Sequence, residues 1–529
     1  HAADHALGVG GFMFYRRWSA KKKLGEQLTT HVSDARTALG AADAQHWQRA
    51  IGKASEALGL APNDAAANAV LAEAHFAAAL DLGLGRDGHV QQGKAALKAA
   101  NAGSGSSSEL TKAAALEQIL DDQPAAAIAK LTGLAINDAD AALFLGWAHE
   151  AAGKPADAVL AFDTALKLAP KREVSARLGR GRAKLALGDL EAARADFSAV
   201  LGIDKTNVAA QVGLAAAAPA ADLGRREGEL LALLALPDVD KTADPRALAL
   251  ANQLAAEDAT RGGRFDAARD RFRKAAALQP GLIAPIIGLA EIDLREGKLD
   301  TAAEALAPAL TPPPGTPLAN LVAADIDMRR SETAKDAEVV KASLDAAGVR
   351  LKALLEPKDQ FTRLTDKVRL LMLNGRWLER QPNREMDALR AYQDAANLGP
   401  GVDLEPTIAI GGLYRRLADA MQAKDPAGAD DLRAKAVAAL APLDERARTD
   451  ASIALSLGIA YLDNDAAKAE ATLQVAVAAG MAKDRDIEAR FQLSKAQRKL
   501  GKLPEALATL DAAYALDKAR SDIGVELAR

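Results

Sequence analysis

Apolar positions along the chain recur in one short pattern: a glycine, then small, large and small side chains five, nine and twelve residues on, then a proline. From Gly153 the pattern finds Ala158, Phe162, Ala165 and Pro170. From Gly263 it finds Ala268, Phe272, Ala275 and Pro280, and from Gly297 it finds Ala302, Leu306, Ala309 and Pro314. Gly188 leads Ala193, Phe197 and Val200, and Gly501 leads Ala506, Leu510 and Ala513. Two stretches keep only the later part: Ala388, Tyr392, Ala395 and Pro400, and Ala50, Ala54, Ala57 and Pro62. Small, large and small at i, i+4 and i+7 form one stripe of an α-helix. The glycine predicts a helix end with positive φ, and the proline stops the following helix. Seven or eight residues before the glycine a leucine precedes a small residue (Leu145–Gly146, Leu289–Ala290, Leu493–Ser494), which predicts close backbone approach in a first helix.

Gly153 and Gly188 stand 35 residues apart, and Gly263 and Gly297 stand 34 apart. Self-similarity at this period predicts an all-α, superhelical solenoid of about 12–13 helix pairs. The pattern is strict over 139–170 and 249–314 and degenerate over 206–244, 318–357 and 405–444, where helical periodicity persists without the consensus. Two stretches interrupt it. "NAGSGSSSE" (101–109) reads as a flexible loop, and "TPPPGTP" (311–317) is too proline-rich for a helix. The expected organisation is therefore an N-terminal segment (1–27), one superhelix over 28–310, a break at 311–317 and a second superhelix over 318–529.

Composition narrows the chemistry. Hydrophobic residues make up 49% of the chain and aromatics only 4%, because alanine, the best helix former, supplies most of the apolar count. A net charge of -4 gives no footprint for nucleic acid. The absence of cysteine removes disulfides and thiol chemistry and suits either face of a bacterial membrane. The chain opens at His1, which reads as a processed or truncated start. An apolar run, Leu7 to Tyr15, then precedes Arg16, Arg17, Lys21, Lys22 and Lys23. Too short to span a bilayer, which takes about 20 apolar residues, it reads as the remnant of a membrane tether near residues 6–23 with a basic flank.

Motifs with catalytic or metal-binding precedent fail on inspection. His149–Glu150 begins a zinc-protease helix, but the second histidine would fall at Gly153. Gly83, Gly85 and Gly88 match a dinucleotide fingerprint without the strand it requires, and Gly88 to Ala95 resembles a phosphate loop lacking its Ser or Thr. All seven histidines lie before residue 150, and His1 and His5 alone have ligand-like spacing, at a chain end. No cofactor, metal or catalytic residue is expected.

The register of glycine, alanine, aromatic and proline resembles the tetratricopeptide repeat family over most of 31–517. That resemblance implies helix pairs stacked into a right-handed superhelix, with the second, fifth, ninth and twelfth positions of each first helix facing a concave groove. Carried onto this chain, those positions are Asp140, Leu143, Trp147 and Glu150; Gln253, Glu257 and Thr260; Ile287, Glu291 and Leu294; Leu373, Trp377 and Arg380; and Lys495 and Arg498. Chaperone-binding members use an asparagine at the ninth position, where this chain carries Trp147, Glu257, Glu291, Trp377 and Lys495. Chaperone tails are therefore not the expected ligand. Trp147 and Trp377, two of only 4 tryptophans, read either as groove anchors or as packing between repeats.

The resemblance implies a non-catalytic scaffold that binds a protein or peptide partner in its groove, and the alanine-rich composition and the N-terminal apolar and basic segment read as a bacterial membrane-associated assembly. Two alternatives remain open: a module of a polysaccharide export system, and an enzyme hidden in the degenerate 318–444 region. A sugar groove would repeat aromatic platforms, and 4 Trp and 5 Tyr support few of them.

Overall fold

The structure, a computed structural model, describes residues 2–39, 46–81, 83, 85–103, 107–170, 173–218, 223–356, 360–361, 363–399 and 404–527. For 2–18, 20 and 223 it describes the backbone alone. Outside that description lie His1, the centre of the 101–109 loop, Pro400 and the side chains of His5 and the Leu7–Tyr15 run.

All regular structure among the described residues is helical, and 26 of its 28 α-helices form thirteen successive pairs. Examples are Ala139–Ala151 with Pro155–Leu168, and Lys483–Lys499 with Leu503–Leu516. Two short helices, Val239–Thr242 and Ser521–Leu527, stand outside the pairs. Eight pairs belong to one compact unit, His1–Pro308, and five to another, Ala309–Arg529. Within each unit a second helix packs on the first helix of the next pair, and many neighbouring first helices also touch. The degenerate stretch 318–444 folds as three such pairs, starting at Pro317, Leu364 and Glu405.

Local chemistry explains the boundaries. Gly153, Gly188, Gly263, Gly297 and Gly501 all adopt φ between 66° and 78°, the left-handed turn that lets the chain reverse between paired helices. Asp138, Asp450, Asp465 and Asn207 cap helix N-termini by accepting backbone N–H bonds, and Pro124, Pro155 and Pro426 occupy first-turn positions.

In several pairs packing centres on one large residue of the second helix. Phe162 is 0% exposed and lies between Gly146 and Gly179, on the first helices of its own and the next pair. A Cβ on either glycine would stand 2.4 Å from its ring. Phe197 sits the same way between Gly181 and Gly213, Phe272 against Gly288, and Tyr392 against Gly375. In the pair Glu405–Met421 with Pro426–Leu440 the aromatic position holds Arg433, paired with Asp463 at 3.1 Å, and Leu440 fills the crevice at Gly411 instead.

The first helix Ala2–Leu39 runs unbroken through residue 27; residues 21–27 are all exposed, and burial begins at Leu28 and Val32. No helix among the described residues is long and apolar enough to cross a membrane. The next first helix, Ala65–Asp81, is enclosed nearly all round by its neighbours, which its alanines permit. Glu73 lies inside that enclosure, and burial pushes its carboxyl up to about 7, with Lys112 Nζ at 3.0 Å partly opposing the shift. Lys112 also faces Asp138 at 3.3 Å.

Candidate interaction groove

In the N-terminal unit, hydrogen bonds at one residue tie together distant pairs along the wall expected to face inward. Asp81 ends the helix Ala65–Asp81, and its Oδ2 accepts from the buried Trp47 Nε1 at 2.9 Å and from the Ser175 hydroxyl at 2.8 Å. Arg246 donates to the Asp81 main-chain carbonyl at 3.2 Å and to Asp244 at 2.8 Å. These partners come from the first, fifth and seventh pairs, so one residue joins distant pairs of the coil. Gly83, just beyond it, lies so near Asp244 that a Cβ there would stand 2.5 Å from Oδ1.

The residues expected to line this wall are largely consumed by the fold. Leu143, Trp147 and Ile287 are buried, at 4%, 6% and 5% exposure. The Trp147 ring packs 5.3 Å from Phe144, which in turn meets Trp47 at 6.4 Å. Glu150 receives both arms of the Arg182 guanidinium at 3.1 and 3.0 Å. Desolvation opposes the charge of Arg182, but Glu150, Asp244 and Asp81 outweigh it and hold its pKa above the usual value. Gln253 donates to Glu257 at 2.9 Å, Thr260 bonds the Ala256 carbonyl at 2.8 Å, and Leu294 is buried. Glu291 is half-buried, and Asp140 lies 3.8 Å from Lys112. His75 and His89 share a 2.9 Å contact between their Nδ1 atoms, and burial pushes His75 down to about 4, which keeps it neutral.

The C-terminal unit is different. A groove of about 690 Å³ opens along the first helices Leu364–Glu379, Glu405–Met421 and Ala451–Tyr461. Its lining repeats with an offset of 36 residues: Met372, Arg376, Glu379 and Arg380 on one helix, then Ile408, Gly412, Arg415 and Arg416 on the next. Ser456 and Ile459 continue it on the third. Each set follows i, i+4, i+7 and i+8, one face of a helix. The lining thus combines aliphatic side chains with arginines.

Ion pairs tie the rows together. Arg376 donates to Glu332 at 2.5 Å, and Arg416 pairs with Glu379. Glu379 also accepts from the buried Tyr392 hydroxyl at 2.6 Å; burial first, and Glu379 second, push that phenol's pKa well up. Arg415 donates to Asp419 at 3.2 Å. Arg380 is exposed and makes no ion pair or side-chain hydrogen bond with the described residues.

Of the remaining expected residues, Trp377 turns away from this space: its Nε1 donates to the Leu344 carbonyl at 2.9 Å and its ring covers Gly348. Leu373 is buried. Lys495 lies 4.0 Å over the Phe491 ring, and Arg498 pairs with Glu526. Arg380 alone of the expected residues lines the groove. Arg376, Arg415 and Arg416 escaped sequence reasoning because the strict consensus is missing there, although the 36-residue register of their rows is visible in the chain.

Residues 174–207, essentially the pair Glu173–Leu187 and Leu190–Ile203, match the tetratricopeptide repeat. No curated protein sequence matches the chain. Among solved structures it is similar to the Cut9–Hcn1 hetero-tetramer of the APC/C, at 16% identity over 85% of this chain and 94% of that one, with a TM-score of 0.45. It is also similar to the human IFIT1 dimer with PPP-AAAA, at 16% identity, 77% and 90% coverage and a TM-score of 0.39. The thermophilic TPR protein TTC0263 of Thermus thermophilus is 23% identical over 40% of this chain and 98% of that one, with a TM-score of 0.28. Helix pairs that repeat one packing rule, with the signature matched at 174–207, give this chain a tetratricopeptide-like repeat fold.

Proposed function

We propose that the chain is a non-catalytic scaffold that holds a partner polypeptide in the groove of its C-terminal unit, within a bacterial membrane-associated assembly. Repeat folds of this kind generally bind proteins or peptides. One observation carries the choice of groove: the N-terminal inner wall is tied across by Asp81, whereas about 690 Å³ stands open between Met372 and Ile459. A bound segment would meet aliphatic side chains for affinity and arginines for selection. The membrane setting is supported by the Leu7–Tyr15 run and its basic flank.

Photo-crosslinking tests the groove. A benzophenone amino acid at Arg380 should yield a polypeptide adduct in native extract, and one at Val349, a 73% exposed second-helix position, should not. Equal adducts from both positions, or none from Arg380, would remove the reading. Flotation of the full chain with anionic vesicles tests the tether, and a chain left wholly at the bottom of the gradient counts against it.

A further inference from the structure

We infer that the segment taken by the C-terminal groove is acidic and amphipathic, an inference that rests on that groove being the docking site. Four arginines (376, 380, 415 and 416) and two glutamates (332 and 379) line the space, giving 4 − 2 = +2, while the whole chain carries -4. A concavity of opposite sign to its own protein focuses field on an anionic partner.

The internal pairs leave this charge available. Arg376, Arg415 and Arg416 each give a guanidinium N–H to Glu332, Asp419 and Glu379 respectively, and Arg380 gives none. A guanidinium has five N–H donors, and its fork matches a carboxylate. Glu379, on the same helix as Arg376, is already occupied by Tyr392 and Arg416. Half-exposed pairs of this kind are individually weak, so an incoming carboxylate displaces little.

The aliphatic part of the lining sets the second requirement. Met372, Ile408 and Ile459 stand on successive first helices among the arginines, so the segment carries apolar side chains as well as acidic ones. A single-stranded nucleic acid would need aromatic faces to stack on, and the lining's one aromatic, Tyr392, is 1% exposed. The occupant that satisfies both requirements is a polypeptide bearing Asp or Glu together with aliphatic side chains.

Random dodecapeptides displayed on phage and selected on the full chain supply the test, with recovered sequences remade as labelled synthetic peptides and titrated by anisotropy. Acidic, aliphatic sequences should dominate. Their affinity should fall about tenfold or more, ~1.4 kcal/mol, in Arg380→Glu/Arg415→Glu with circular dichroism unchanged. Gly412→Trp fills the groove, since a Cβ there meets only the flexible Arg416 tip at 3.3 Å, and should block binding altogether. Neutral or basic peptides that Gly412→Trp still blocks overturn the acidic assignment and leave the docking site standing. Peptides indifferent to Gly412→Trp, or an absence of any binder, overturn both. A single-stranded DNA oligomer that binds more tightly than every recovered peptide, and is lost in the double variant, overturns the polypeptide.

Discussion

Gly179→Ala sets two effects of opposite sign against each other. Alanine in place of glycine inside a helix stabilises by ~1 kcal/mol on propensity alone. Here the new Cβ would stand 2.4 Å from Phe162 Cζ, against ordinary carbon contacts of about 3.5–4.0 Å. The ring cannot retreat, because Gly146 lies equally close on its other side. Overpacking a filled core costs about 1–3 kcal/mol, and a 2.4 Å approach to a ring pinned on both sides puts this case at about 2–3 kcal/mol, so a net loss of about 1–2 kcal/mol is expected. Phe162→Leu should relieve the clash, giving a coupling of at least ~0.5 kcal/mol in the double variant. Urea unfolding followed by circular dichroism measures the loss. Hydrogen exchange across 139–187 localises it, which matters because repeat arrays need not unfold in one step. A Gly179→Ala protein as stable as the parent, or more so, would refute the claim that neighbouring pairs are joined through these ring-and-glycine contacts.

Glu73→Gln should gain in melting temperature relative to the parent as pH rises from about 5 to 8. The folded carboxyl, near 7, keeps a proton that the unfolded chain releases near 4.5, so its contribution is complete below the lower value and lost on the way to the upper one. The ceiling is on the order of 3 kcal/mol, and a difference that does not vary with pH would exclude a buried titrating Glu73. Asp81→Ala should cost about 2–3 kcal/mol and quicken hydrogen exchange in 46–60 and 173–187 together, with Ser175→Ala costing ~1 kcal/mol. Acceleration confined to one of those helices would mean Asp81 does not join them. Trp147→Ala should cost about 3–5 kcal/mol in a thermal melt, whereas Trp377→Phe, losing the bond to the Leu344 carbonyl, should cost about 1–2 kcal/mol; a Trp147→Ala protein that melts like the parent would show the ring is not core.

The helix pairs were legible because their determinants are local and periodic. The turn glycines, the capping Asp residues and the Ala158–Phe162–Ala165 stripe all act within one hairpin, where sequence spacing is spatial spacing. The groove was less legible for two physical reasons. Trp147 and Trp377 occupy inward-facing positions by count, yet large rings beside Phe144 and Gly348 gain more from packing than from solvent. Contacts such as Ser175 to Asp81 join residues 94 apart and leave no periodic trace. The arginine row was obscured where Arg433 replaces the aromatic and Leu440 takes over its crevice.

The Asp81 junction also has a mechanical meaning. It bridges partners 34, 94 and 165 positions away along the chain. A coil of stacked hairpins ordinarily stretches like a spring, each hinge yielding a little. Fastened at this point, those hairpins lose part of that freedom: a pull on this stretch loads the Asp81 carboxyl group and its neighbouring carbonyl. Extension there is expected to show a step where these bonds let go.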